Sequence, residues 1–353
     1  MALDELFDKI QEEKTSRRNV LKMGIGAGIA VIGGASLAGC TTPTPTATAG
    51  AKVKDLVKIG WMPTDHHAPA FIASTKKFFE NRNINVEFVK FTAGPQIMQQ
   101  VVAGTIDIGM AGVPPVLAAL DADPTIKIVG AVHNNGSALF FKKGLGVKSV
   151  ADLKGKKIAL PSVGSIQDIL LRSQLKKAGL DYEKDVTIQA PMTGGDMIKS
   201  LGTEGGIDAA LMWEPFATMA VQQGAGEVLL WSEDMMPGHP CDTITTTTAF
   251  IQSYPDSLKA FLLAHQDGVE FLKTNFEEAA EIVGGSEWLN SGKTVELDAL
   301  KHMTFMTKPD ETFIAGAETF ATEMKALGKL KSDHTRADIF DLSIVNSIGG
   351  TQA

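Results

Sequence analysis

The sequence predicts an α/β protein of two lobes, each a mixed sheet flanked by helices, with a two-strand hinge between them. From about Val53 onward, short apolar runs alternate with amphipathic stretches, the pattern of βαβ units. Thr92, Gly94, Ile97, Ile106, Asp107 and Pro114 each recur 101 positions later, between Thr193 and Pro215. One coincidence carries no weight, but six at a single offset mark a diverged internal repeat. The stretch from Tyr254 to Leu330 has a helical pattern and no strand set of its own, so it is expected to return to the first lobe.

In order along the chain, strands are expected at Leu56 to Trp61, Val86 to Phe91, Ile106 to Ala111 and Ile126 to Val132. Helices fall between them at Ala70 to Glu80, Pro95 to Ala103 and Pro114 to Leu120. The second set has strands at Lys157 to Leu160, Val186 to Gln189, Ile207 to Trp213 and Val228 to Trp231. Its helices are Ser165 to Ala178, Met197 to Leu201 and Pro215 to Gln223. The crossings between lobes are expected near Ala138 to Lys143 and Cys241 to Phe250, the latter a threonine-rich run that favours extended backbone. Residues 53–138 and 246–353 then form lobe one and residues 139–245 lobe two.

The N-terminus carries a different signal. Ser16-Arg17-Arg18-Asn19-Val20-Leu21-Lys22 precedes a run from Met23 to Leu37 with five glycines, then Leu37-Ala38-Gly39-Cys40. That run is short for a membrane span, which needs about 20 apolar residues. Charged stretch, apolar stretch and small-residue site together read as an export signal over residues 1–39. The arginine pair resembles twin-arginine signals, and the last four residues resemble a lipobox whose cysteine, Cys40, becomes lipidated. Thr/Pro-rich residues 40–52 cannot bury a core and are expected to be an extended spacer. The body is therefore expected on the extracytoplasmic face of the cell membrane, held by a lipid.

The formal charge is −8, and the five acidic and five basic side chains of residues 1–39 cancel, so all of it belongs to the body. An acidic body argues against a nucleic-acid partner. The only cysteines are Cys40 and Cys241. With Cys40 lipidated there is no intrachain disulfide, and two cysteines so far apart exclude a cysteine-based zinc framework.

In open α/β sheets ligands gather where strand ends feed helix N-termini, whose free N–H groups suit anions. Four loops fit: Thr64-Asp65-His66-His67, Thr92-Ala93-Gly94-Pro95, Gly112-Val113-Pro114 and Ser162-Val163-Gly164-Ser165. Trp61 and Trp213 end predicted strands and are expected to face the cleft, whereas Trp231 and Trp288 read as packing. Asp65 is expected to cap a helix and one of His66 and His67 to touch ligand. No metal is expected, because adjacent histidines rarely share one and no third ligand stands at helical spacing. His239 and Cys241 read as loop packing. No nucleophile elbow, H-E-x-x-H or phosphate loop occurs, so neither a catalytic residue nor a cofactor is expected.

From Val57 to Lys273 the chain resembles the solute-binding proteins of ABC importers, of the nitrate/sulfonate/taurine/bicarbonate type. The residues that carry this are Val57-Lys58-Ile59-Gly60-Trp61, Phe91-Thr92-Ala93-Gly94-Pro95, the run Ala103 to Gly109, Gly136-Ser137-Ala138-Leu139, the run Val147 to Ala159, Gly164-Ser165 and Trp213-Glu214-Pro215. The resemblance implies a type II periplasmic-binding-protein fold, a monomer, and a permease with its ATPase as partners. It places a small-molecule solute near Trp61, Thr92, Gly94, Pro95, Gly112, Val113, Ser137, Ser162, Gly164, Ser165, Trp213 and Glu214. A small anion or sulfonate is the expected solute. Trp61-Met62-Pro63 ahead of His67-Ala68 also resembles the branch that binds a thiamine pyrimidine precursor, although Pro69 stands where that branch has glycine. The rival from another class is a bilobed enzyme of the menaquinone-pathway dehydratase type.

Overall fold

The computed structural model describes residues 53–349, so the export signal, Cys40 and the spacer lie outside the described residues. Twelve strands are named here in chain order. They are β1 Val57–Trp61, β2 Val86–Lys90, β3 Ile108–Gly112, β4 Ile126–Ala131, β5 His133–Asn135, β6 Ser137–Lys142, β7 Lys157–Ala159, β8 Thr187–Gln189, β9 Ala209–Trp213, β10 Gly226–Trp231, β11 Asp242–Thr247 and β12 Met303–Phe305.

One five-stranded sheet has the order β2-β1-β3-β11-β4 and the other, read from its β8 edge, β8-β7-β9-β6-β10. The two match strand for strand. In each, the first three strands are parallel and the fourth runs antiparallel to both neighbours. That antiparallel strand enters from the other lobe, so each lobe is closed by the chain's crossing. The repeat is visible atom by atom at its two aspartates. Asp107 accepts from the backbone N–H of Lys58 at 2.9 Å, and Asp208 accepts from that of Lys157 at 2.8 Å.

The crossings lie a few residues from where the sequence expectation puts them. His133 to Gly136 and Gly238 to Cys241 run side by side, with Asn135 N–H donating to His239 O at 3.0 Å and Cys241 N–H to His133 O at 3.1 Å. Ser137–Lys142 is therefore a full strand of the second sheet, and Asp242–Thr247 a full strand of the first, four residues ahead of the expected return at 246. The reason is local: Asn135 and Gly136 both have left-handed backbone, at φ 65° and 86°, and turn the chain there. A Cβ on Gly136 would also approach Met303 Cγ to 2.7 Å.

The C-terminal helices return to the first lobe, as expected. Pro255–Thr274 lies on Ala68–Thr75, close enough that a Cβ on Gly268 would meet Pro69 O at 2.1 Å. Phe261, Phe313 and Phe320 are fully buried, while Phe271 and Phe276 are half-buried. The expected helix from Ala70 to Glu80 is broken after Thr75, because Lys77 adopts a left-handed φ of 60°. No helix among the described residues is long and apolar enough to cross a membrane.

Candidate functional site

The lobes meet over a buried polar cluster. From lobe one, β1 ends at Trp61 and the chain makes a short 3-10 turn, Asp65–His67, capped by Thr64, whose Oγ1 accepts from His66 N–H. Asp65 thus caps nothing, contrary to the sequence expectation. It is fully buried and neither carboxylate oxygen has a hydrogen-bond partner. From lobe two, β9 delivers Glu214, also fully buried, whose carboxylate accepts from the backbone N–H and hydroxyl of Thr218 at 2.9 and 3.1 Å. Thr64 Oγ1 donates to Glu214 O at 3.1 Å, joining the lobes directly. The helix Lys293–Ala299 adds Glu296, which accepts from Ser291 Oγ at one oxygen and leaves the other unpartnered. Gln222 Nε2 donates to Asp298 Oδ2 at 3.0 Å, and the Trp231 ring stacks on His302 at 3.6 Å, so the lobes touch along this face.

These carboxylates hold protons strongly. Burial, then the charges of Glu296 and Glu214, pushes Asp65 well above the usual carboxylate range. Burial raises Glu214 to about 8 and Glu296 to about 7. No lysine or arginine pairs with any of the three among the described residues; the one basic group in range of Glu214 is His302, at 4.0 Å.

Beside this trio lies a second group at the crossing. His67 Nδ1 accepts from Met62 N–H at 3.4 Å, which puts its proton on Nε2, and Nε2 faces Asp242 Oδ2 at 2.8 Å. Burial pushes the Asp242 carboxyl up, but the His67 hydrogen bond and the electrostatic pull of His67, His66 and His133 together outweigh it and hold the group at about 2. Burial keeps His66 neutral, down to about 4, and lowers His133 well below the usual imidazole range. Cys241 is buried with Sγ 3.6 Å from His66 Nδ1, and its thiol is pushed up by burial and by Asp242 and Asp65.

Of the residues singled out in the sequence, the fold brings together His66, His67, Gly112, Val113 and Glu214. A Cβ on Gly112 would lie 3.4 Å from Asp242 Oδ1 and 3.2 Å from Ile166 Cδ1 of lobe two. Val113 N–H donates to Cys241 O at 3.0 Å. Ser137 is buried in lobe two, its hydroxyl accepting from Gln167 Nε2. Others stand apart. Thr92 and Pro95 are exposed, Thr92 bonding only to Gln96, while Gly94 packs on Pro115. Ser162 is exposed, Gly164 donates to Asp168, and Ser165 caps its own helix. The donors of Thr92, Gly164 and Ser165 are consumed by the chain itself. Trp61 is buried against Phe71 and Trp288 with its indole N–H unpartnered, and Trp213 is half-buried edge-on to Phe216. Asp242, His133 and Glu296 were not legible as site residues. Cys241, read as loop packing, sits inside the cluster.

Two sheets of one topology, joined by two short crossings and closed over buried polar groups, define the bilobal periplasmic-binding-protein fold. The chain belongs to the NMT1-like family, whose profile matches residues 50–284. An Escherichia coli protein named for aliphatic sulfonate binding is 28% identical over 204 residues, 57% of this chain and 62% of that protein. The matched stretch thus spans less than two thirds of that relative. A Schizosaccharomyces pombe protein named 4-amino-5-hydroxymethyl-2-methylpyrimidine phosphate synthase is 27% identical over 233 residues, 63% of this chain and 67% of that protein. The crystal structure of the periplasmic aliphatic sulphonate binding protein of Escherichia coli superposes with a TM-score of 0.72 at 21% identity, covering 85% of this chain and 96% of that one.

Proposed function

We propose that this protein is the extracytoplasmic solute-binding component of an ABC importer, a monomer that closes its lobes on a small solute and delivers it to a permease and its ATPase. The observation that carries the reading is the set of buried carboxylates contributed from both sides: Asp65 and Glu296 from lobe one, Glu214 from lobe two. Family and fold support it.

The solute's class follows from charge. A cationic or donor-rich solute would draw protons off these raised carboxyls and pair with the charge so formed, whereas a sulfonate or nitrate would meet no lysine or arginine paired with the trio among the described residues. Of the four helix N-termini that favour an anion in the sequence, those after Thr64 and Ser165 are capped by their own side chains, and those starting at Gly94 and Val113 have no side-chain cap. We therefore assign a solute rich in hydrogen-bond donors or carrying positive charge, such as an aminopyrimidine, over the small anion. A thermal-shift panel tests this, since a ligand at 100 times its Kd adds about 2.7 kcal/mol. Aminopyrimidines or organic cations are expected to raise the midpoint, with alkanesulfonates and nitrate silent. A response confined to sulfonates or nitrate would reverse the assignment.

Anchoring at Cys40 belongs to the same proposal. Cys40→Ser is expected to move the protein from the membrane to the soluble fraction with its fold intact. Firm membrane retention of that variant would make the apolar stretch itself the anchor.

A further inference from the structure

We propose that His66, His133, Cys241 and Asp242 bind a borderline-soft divalent cation of the Zn²⁺ class where the chain crosses between lobes. All four are buried, and one ligand-capable atom from each lies within 4.8 Å of the others. Cys241 Sγ stands 3.6 Å from His66 Nδ1 and 4.0 Å from Asp242 Oδ1. The His66 and His133 rings meet edge to face with centroids 4.3 Å apart. Tetrahedral zinc, with bonds of 2.0–2.3 Å, holds its ligand atoms about 3.3–3.6 Å apart. Contraction by about an ångström, within reach of side-chain rotation, completes the site.

The donor atoms are already oriented. His133 Nδ1 faces Asn134 O at 3.2 Å, which takes the Nδ1 proton and leaves the lone pair on Nε2; that nitrogen is buried with no partner. His67 Nε2–H holds Asp242 Oδ2, turning Oδ1 toward Cys241. Imidazole bonded to a carbonyl and carboxylate bonded to an imidazole are the outer supports that metal ligands require. Thiolate with imidazole selects Zn²⁺ or Co²⁺ over Mg²⁺ or Ca²⁺. A Cys–His nucleophile would need an accessible thiol, and Cys241 is 1% exposed. The two rival uses of the pair therefore separate on access. The inference stands on these contacts and does not depend on the transport reading.

The test is titration of the chelator-treated full protein with Co²⁺ and Zn²⁺. One equivalent per chain is expected, with a thiolate-to-cobalt charge-transfer band and a raised unfolding midpoint in Zn²⁺. Mg²⁺ is expected to do neither. Cys241→Ser is expected to abolish the band, and His133→Gln to weaken Zn²⁺ at least about tenfold, the scale seen when a metal's supporting contacts are lost. Absence of the band in the wild-type protein overturns the proposal whether or not the variants fold. So does Zn²⁺ affinity unchanged in both folded variants. Running the solute panel in chelator separates this failure from failure of the transport reading.

Discussion

Trp61→Ala is expected to cost about 3 to 5 kcal/mol of folding stability and to leave solute affinity unchanged in the folded fraction. Trp61 is 5% exposed, and its ring sits edge-on to Phe71 at 5.1 Å and to Trp288 at 5.6 Å. Phe71 and Trp288 stack face to face at 4.4 Å, and Trp288 Nε1 donates to Thr75. Removing the indole opens a cavity in the middle of this aromatic set, and the strand β1 and helix Ala68–Thr75 that frame it are too well packed to collapse. Denaturant melts and solute titration of the same preparation check both halves. A small stability loss with weakened binding would return Trp61 to the cleft.

Glu214→Gln is expected to stabilise the protein most at alkaline pH and to flatten its pH profile. A carboxyl whose folded pKa is raised favours the folded state fully below its unfolded value of 4.5, and that contribution is lost as pH rises through about 8. The buried histidines act the other way: His66, His239 and His265, lowered to about 4, 4 and 3, contribute stability that is lost as pH falls below 6.5. Between pH 6.5 and 8 the Glu214 contribution falls while the last of the histidine contribution is still being gained, so the stability difference between wild type and Glu214→Gln isolates the carboxyl. At 1.36 kcal/mol per unit of pKa difference, the loss is on the order of 2 kcal/mol. The glutamine amide keeps both Thr218 contacts, its carbonyl accepting from the N–H and its NH₂ donating to the hydroxyl. A wild-type-minus-variant stability difference that stays flat over this window would show that Glu214 is ionised in the folded state.

Much of the fold was legible because it is written locally. The 101-residue repeat appears as equivalent Asp107 and Asp208 contacts, and the strand runs fall within about two residues of β1, β3, β7 and β9. The site was legible only in part. His66 and Glu214 lie in the segments that follow β1 and β9, so position alone marked them. His133, Cys241 and Asp242 meet His66 because the chain crosses twice at one place, a consequence of topology that no residue spacing records. The burial of Trp61 was hidden for a related reason. The first sheet is covered on both faces, with burial at almost every β1 position, so an aromatic at the strand's end had no polar side to declare. The self-bonding of Thr92 and Ser165 was hidden as well, because a loop feeding a helix N-terminus can spend its donors on its own chain.

Equilibrium dialysis against the best solute of the panel, followed by chemical recovery of that solute, tests the central claim most directly. The account predicts saturable binding of one solute per chain, recovery of the compound unchanged, and loss of binding when Asp65 and Glu214 are both replaced by their amides. Conversion of the solute by the protein alone, or binding indifferent to both replacements, would contradict it.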